Sequence, residues 1–224
     1  MEKKSTPTLK TCKDQIDWLI SEPLVPYPQA IDYMRERVPL IGQKKLNEAI
    51  WCLEHPSLYT CGTSGHIDDL ENSNLPFYKT GRGGQITYHG PGQRIVYVMM
   101  RLSRFNLDIH HYVRWIEQWV ITLLAKYSIK AFRRSGRVGI WVYEHHKDGS
   151  LHENKIAAIG IRVSRAVSWH GFCVNLNPDM QHYQAITPCG IDPAQYGVTS
   201  LYQLGVKITN TEFDDALIKT MPKI

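Results

Sequence analysis

Cys189 stands between Pro188 and Gly190. Proline and glycine on either side predict a fixed, exposed turn, so this thiol has less reason to be core than Cys52 or Cys173. Lys155 heads an otherwise apolar strand, Ile156-Ala157-Ala158-Ile159-Gly160-Ile161. A lysine at the lip of a buried strand can snorkel to solvent. It can also sit beside a thiol, where its ammonium favours the thiolate, the nucleophilic form. Two His-Gly pairs, His89-Gly90 and His170-Gly171, offer bases or donors, or satisfied structural histidines. Composition and spacing do not choose Cys189 over the loop thiol Cys61, nor do they pair either one with Lys155.

Upstream lies the most glycine-rich stretch of the chain, Thr80-Gly81-Arg82-Gly83-Gly84-Gln85-Ile86-Thr87-Tyr88-His89-Gly90-Pro91-Gly92-Gln93. Such a run signals unusual dihedrals or a close approach of backbone to something else. The apolar, β-rich run 94–100 follows it. The two together predict a loop that displays backbone N–H groups and is held by buried strands, carrying Arg82, Tyr88 and His89.

The elements that must position these groups read as a mixture of helices and strands. Residues 1–13 are expected to be a tail, 16–25 a strand and 27–43 a helix kinked or stopped early by Pro39. Residues 48–54 predict a strand and 55–65 a loop. Asp108 suits an N-cap, and Ile109, Tyr112, Val113, Ile116, Trp119, Val120, Leu123, Leu124 and Tyr127 follow helical spacing. Trp115 and Trp119 are expected in the core, with His110 and His111 on the surface. Residues 129–132, 138–143, 155–163 and 166–176 read as four strands. Between them, 144–154 carries three histidines and reads as a solvated loop, not a metal cluster. Thr211-x-x-Asp214 resembles a capping box for a last helix. Without a repeat or a low-complexity linker, 14–224 is expected to be one domain of α+β type, a mixed sheet packed with helices.

Bulk properties limit the function. The chain has 224 residues, 43% hydrophobic and 21% charged, with a net charge of +5. That balance permits an acidic partner, and no Lys/Arg block interleaved with aromatics points to nucleic acid. No apolar run approaches the ~20 residues of a membrane helix, and the first residues do not read as a secretory signal. Five cysteines without C-x-x-C spacing argue against a zinc site or a disulfide framework. Reduced thiols and a cytoplasmic location are the expectation.

Residues 82–93, Lys155-Ile156-Ala157-Ala158-Ile159-Gly160-Ile161-Arg162, Ser168-Trp169-His170-Gly171, Asn175-Leu176-Asn177 and Pro188-Cys189-Gly190 together resemble the signature of lipoyl(octanoyl) transferases, also called lipoate-protein ligase B. His55-Pro56-x-x-Tyr59-Thr60-x-Gly62 fits as well. The resemblance runs from about residue 28 to 204, with the motifs in family order. Residues 144–154 look longer than in relatives, and the N-terminal tail looks like an extension.

The resemblance implies a fold similar to the catalytic fold of biotin and lipoate protein ligases. It implies transfer of an octanoyl group from acyl carrier protein to a lysine of lipoyl domains, those of 2-oxoacid dehydrogenase complexes and the glycine cleavage H protein. Cys189 would be the acyl-thioester nucleophile, and Lys155 would lower its pKa and shuttle protons. Substrate would be bound by Arg82, Gly83, Gly84, Gln85, Ile86, Thr87, Tyr88 and His89, by Ala158, Ile159 and Gly160, and by His170, Gly171, Phe172 and Cys173. No cofactor and no metal is implied. Two other readings remain: an ATP-dependent lipoate or biotin ligase, which needs no cysteine nucleophile, and a non-catalytic module that binds carrier protein or lipoyl domains.

Overall fold

Strands that are apolar on both faces need cover from two sides. A computed structural model describes residues 7–70, 73–145, 149–186 and 196–224, and it supplies that cover with three helices. In chain order the elements are β1 (Thr8–Lys13), β2 (Ile16–Ile20), α1 (Tyr27–Gly42), β3 (Glu48–Leu53), β4 (Leu58–Cys61), β5 (Phe77–Lys79), β6 (Ile86–His89) and β7 (Gln93–Met99). Then come α2 (Ile109–Ala125), β8 (Ala131–Arg134), β9 (Arg137–His145), β10 (Leu151–Ser164), β11 (Val167–Asn175), β12 (Tyr196–Val198) and α3 (Asn210–Thr220). Among the described residues the main sheet runs β1-β2-β3-β7-β11-β10-β9-β8, with β12 also paired to β10. It is mixed: β2–β3 and β10–β12 are parallel and the other pairs antiparallel. A smaller sheet, β5-β4-β6, packs beside it.

Period-two alternation sorts the central strands between two cores. Ile50 and Cys52 of β3, Val96 and Val98 of β7, and Phe172 and Val174 of β11 face α2 and α3. Trp51, Ile95, Tyr97, Met99, Trp169 and Cys173 face α1. Asp108 caps α2 by accepting from the His110 and His111 backbone N–H groups, as its sequence predicts. The Trp18 and Trp119 rings meet edge to face at 5.8 Å beneath that helix. Arg94 of β7 donates two bonds to Asp214 of α3, at 3.0 and 2.6 Å, with both side chains almost wholly buried. A bidentate pair of this kind ties α3 to the sheet.

Several expectations change. Thr8–Lys13, expected in the tail, forms an edge strand against β2, while residues 1–6 lie outside the described set. α1 continues through Pro39 to Gly42, because Val38 and Ile41 on either side of it are held in the core. The expected loop 55–65 contains β4. The 144–154 segment is largely hairpin, with Leu151 opposite His145 and His152 opposite Glu144. Polar residues support it: Asn154 donates to Glu144 at 2.6 Å, and Glu153 accepts from Arg134 and Arg137. The helix cap lies two residues earlier than expected, at Thr209 and Glu212. Asp214 is committed to Arg94 in the core, so the exposed Thr209-x-x-Glu212 box starts the helix instead.

Candidate active site

The glycine-rich stretch crosses the edge of β10 where β9 no longer pairs with it. Gly83 donates its backbone N–H to the Ile161 carbonyl at 2.9 Å. Gly160 leaves room for this approach, since a Cβ there would stand 2.9 Å from Arg82 Cδ. Arg82 itself is a staple. Its guanidinium donates to the Thr60 carbonyl at 2.7 Å, to Thr60 Oγ1 at 2.8 Å, to the Gln85 carbonyl at 2.9 Å and to the Gly83 carbonyl at 2.9 Å. It therefore joins β4 to both ends of its own loop, a task that suits the fixed fork of arginine.

His89 sits in the middle of the same network. Gln93 donates through Nε2 to the Tyr88 carbonyl, so its Oε1 faces His89 Nδ1 at 2.6 Å and accepts the proton there. His89 Nε2 then accepts from the Thr60 hydroxyl at 3.1 Å. Burial, before any neighbouring charge, pushes the His89 imidazole down to about 3. His170 is pushed down to about 3 as well, first by burial and then by the Arg82 and Arg162 charges. His55, bonded to the Val25 carbonyl and to Tyr97 Oη, is lowered by burial to about 4. All three rings are neutral at neutral pH, and His89 has both nitrogens engaged.

His170 breaks the strand pattern of β11. Its φ is 61°. Neighbours in a strand normally point to opposite faces, yet the His170 ring turns onto the side of Trp169 and stands 6.0 Å from Tyr97. The consequence is an imidazole in the wall of a cavity instead of in the core below α2.

That cavity has a volume of about 530 Å³. Arg82, Gly83, Gly84, Gln85, Ile86, Thr87 and His89 line it from the glycine stretch and β6. Lys155, Ala158, Ile159 and Gly160 line it from β10, and His170, Gly171, Phe172 and Cys173 from β11. Tyr88 is the member of the expected set that does not. It is buried on the far side of β6, its hydroxyl 3.0 Å from Ser57 and its ring stacked on His182. Thr60, Tyr27, Tyr97, Asn175 and Tyr183 also line the cavity. Thr60 and Asn175 belong to motifs visible in the sequence. Tyr27 opens the expected helix 27–43 and Tyr97 lies in the apolar run 94–100, and no spacing distinguishes either as part of a site.

Lys155 sits where β10 changes neighbours. It pairs with Trp141 of β9 on one side and Val198 of β12 on the other, with a register shift between Lys155 and Ala157. The residue is 8% exposed, and its ammonium lies 4.8 Å from the centre of the Trp141 ring. A ring face at that distance attracts the cation. Gly139, with φ +131°, keeps the space beside the lysine stem open; a Cβ there would meet Lys155 Cε at 3.3 Å.

Cys189 lies outside the described residues. The chain leaves the described set at Ile186 and returns at Tyr196; Ile186 and Val198 both line the cavity. Of the other thiols, Cys12 is exposed, and Cys52, Cys61 and Cys173 are buried. Burial pushes the Cys173 thiol up to about 11, against the opposing pull of its backbone hydrogen bond and of Arg82 and Lys155. Among the described residues no cluster of histidine, cysteine and carboxylate groups could hold a metal ion. No helix of the described residues is long and apolar enough to cross a membrane.

This architecture is that of a lipoate ligase catalytic domain. The chain superposes on an archaeal bi-partite lipoate protein ligase from Thermoplasma acidophilum with a TM-score of 0.65, covering 94% of this chain and 82% of that one, at 13% identity. At that identity the likeness concerns the fold. Sequence goes further: the chain belongs to the lipoyl protein ligase A/B catalytic domain family, whose model matches residues 26–222. It is similar to an octanoyltransferase of Nitrobacter winogradskyi, 47% identical over 211 residues, covering 94% of this chain and 91% of the relative. It is also similar to an octanoyltransferase of Rhodopseudomonas palustris, 50% identical over 202 residues, covering 90% and 82%.

Proposed function

We propose that the chain is an acyltransferase that moves an octanoyl group from acyl carrier protein to a lysine of a lipoyl domain, in the cytoplasm, with 2-oxoacid dehydrogenase E2 subunits and the glycine cleavage H protein as acceptors. One observation carries this reading: a buried lysine opens onto an apolar-walled cavity whose wall also includes both chain flanks of Cys189. Ile186, three residues before Cys189 in the sequence, lines that cavity. The relatives named octanoyltransferases support the acyl group.

The chemistry runs in two steps. Cys189 thiolate attacks the carbonyl of the carrier thioester. The carbon–sulfur bond to the carrier breaks, and the carrier thiolate leaves with the proton of the Lys155 ammonium, which is left as the neutral amine. The acceptor amine then attacks the acyl-enzyme, Cys189 sulfur leaves, and neutral Lys155 accepts the proton the amine loses. The donor is already activated, so no nucleotide is consumed. Six buried methylenes of the acyl chain contribute on the order of 5 kcal/mol of binding.

Arg82 and His89 do not serve as free acid or base in this scheme. They fix the loop whose backbone lines the acyl site. An ATP-dependent ligase shares the fold but has no use for the Pro188-Cys189-Gly190 thiol. Incubation with octanoyl-acyl carrier protein without ATP should give a hydroxylamine-labile mass increase on Cys189, absent from Cys189→Ala. An adduct that survives that substitution, or acyl transfer that requires ATP, defeats the mechanism.

A further inference from the structure

A second groove, of about 630 Å³, adjoins the acyl cavity. It lies between α1, the end of β5 with the start of the glycine stretch, and the turn joining β10 to β11. Its wall carries four cations, Arg35, Lys79, Arg162 and Arg165, and one carboxylate, Asp32. Asp32 is already paired with Arg35 at 2.6 Å. Among the described residues, no carboxylate stands within ion-pair distance of Lys79, Arg162 or Arg165. The groove therefore presents three uncompensated positive charges on a concave surface, where their field is focused toward an anion.

Two further features suggest a ligand. The Arg162 guanidinium lies over the Trp169 ring, 4.6 Å from its centre. Stacking fixes the plane of the fork and leaves its N–H edges for an oxyanion. The Trp169 indole N–H is buried and has no acceptor among the described residues. The groove also borders the acyl cavity, with Tyr27 and His170 in both walls. A ligand with an anionic head in the groove and an apolar tail in the cavity would pass between these two rings.

We propose that this groove holds the phosphodiester of a 4′-phosphopantetheine arm, with Lys79, Arg162 and Arg165 around the phosphate and the thioester end entering the acyl cavity past Tyr27 and His170. The inference rests on the reading of the chain as an octanoyltransferase that draws on a carrier thioester. Phosphate suits the groove better than the acceptor does. An acceptor lysine arrives as a cation, which three like charges repel, whereas arginine forks match phosphate oxygens in both geometry and charge. An acidic carrier surface around the arm would gain in encounter rate from the same charges.

The experiment uses two small donors that differ by the phosphate alone, octanoyl-4′-phosphopantetheine and octanoyl-pantetheine, with a purified lipoyl domain as acceptor. The wild-type protein should favour the phosphorylated donor about tenfold in kcat/KM, mostly through KM. The double variant Lys79→Gln/Arg165→Gln, both exposed positions, should bring that ratio to about one, with an unchanged thermal midpoint. Raising the salt should erode the wild-type preference in the same direction. Equal use of both donors by the wild type overturns the proposal. So does a variant that keeps the wild-type ratio, or one that raises KM for the lipoyl domain alone, which would assign the groove to the acceptor. A wild-type protein that transfers from neither small donor nor from octanoyl-acyl carrier protein would instead refute the acyltransferase reading beneath it.

Discussion

The ring of His170 stacks on that of Trp169, the residue before it, with centroids 5.2 Å apart and planes 25° from parallel. Adjacent residues of a regular strand cannot do this, because their side chains leave opposite faces. The left-handed φ of 61° at His170 makes it possible. A non-glycine residue pays about 1–2 kcal/mol for that region, and the packed surroundings hold it there. The strained residue lies in a buried strand at the wall of the cavity, and strain of this kind clusters at functional sites.

That relationship reverses a common order of stabilities. Glycine in a strand interior is ordinarily worse than alanine, but at φ 61° alanine keeps the Cβ penalty and glycine does not. His170→Gly should therefore be more stable than His170→Ala by about 1 kcal/mol in urea unfolding. An alanine variant as stable as the glycine variant would show that the backbone here is not strained.

Acid should weaken the protein early. His55, His89 and His170 have folded values of about 4, 3 and 3, below the usual 6.5 of a free imidazole. A histidine depressed in the folded state binds its proton only on unfolding. Its contribution is complete above pH 6.5 and is lost as pH falls toward the folded value. At pH 5 each ring costs about 2 kcal/mol relative to pH 7. Urea unfolding at pH 7, 6 and 5 should show stability falling by on the order of 4 kcal/mol per pH unit near pH 5 from these three groups. Their ring proton signals should not titrate between pH 5 and 8. Stability that stays flat across that range would contradict the buried, neutral rings.

Much of this was legible in residue types, for physical reasons. The buried strands and α2 follow from period-two and period-3.6 patterns, because burial of apolar surface sets both. The glycine stretch announced a close backbone approach, and Gly83 meets the Ile161 carbonyl. Side-chain direction was not legible. Tyr88 and His89 are neighbours in one motif, yet strand alternation sends His89 to the cavity and Tyr88 to Ser57. The cap of α3 also eluded the pattern. Thr209 and Thr211 each precede an acid by three residues, and only the burial of Asp214 against Arg94 decides between them.

The two roles proposed for Lys155 can be separated by substitution. Its ammonium would favour the Cys189 thiolate in the first step, and its neutral amine would accept a proton in the second. Arginine keeps the first ability and lacks the second, because its guanidinium does not lose a proton near neutral pH. The Trp141 face that lies 4.8 Å from the lysine nitrogen can receive a guanidinium as well. Lys155→Arg should therefore still form the octanoyl adduct on Cys189 when mixed with octanoyl-acyl carrier protein. It should pass the acyl group to a lipoyl domain about 100-fold or more slowly than wild type. Lys155→Ala should be slow in both steps. Intact mass at short times reads the first step, and single-turnover transfer from the isolated acyl-enzyme reads the second. An arginine variant that completes transfer at the wild-type rate would remove Lys155 as the proton acceptor. A variant that forms no adduct would show that charge alone does not activate the thiol.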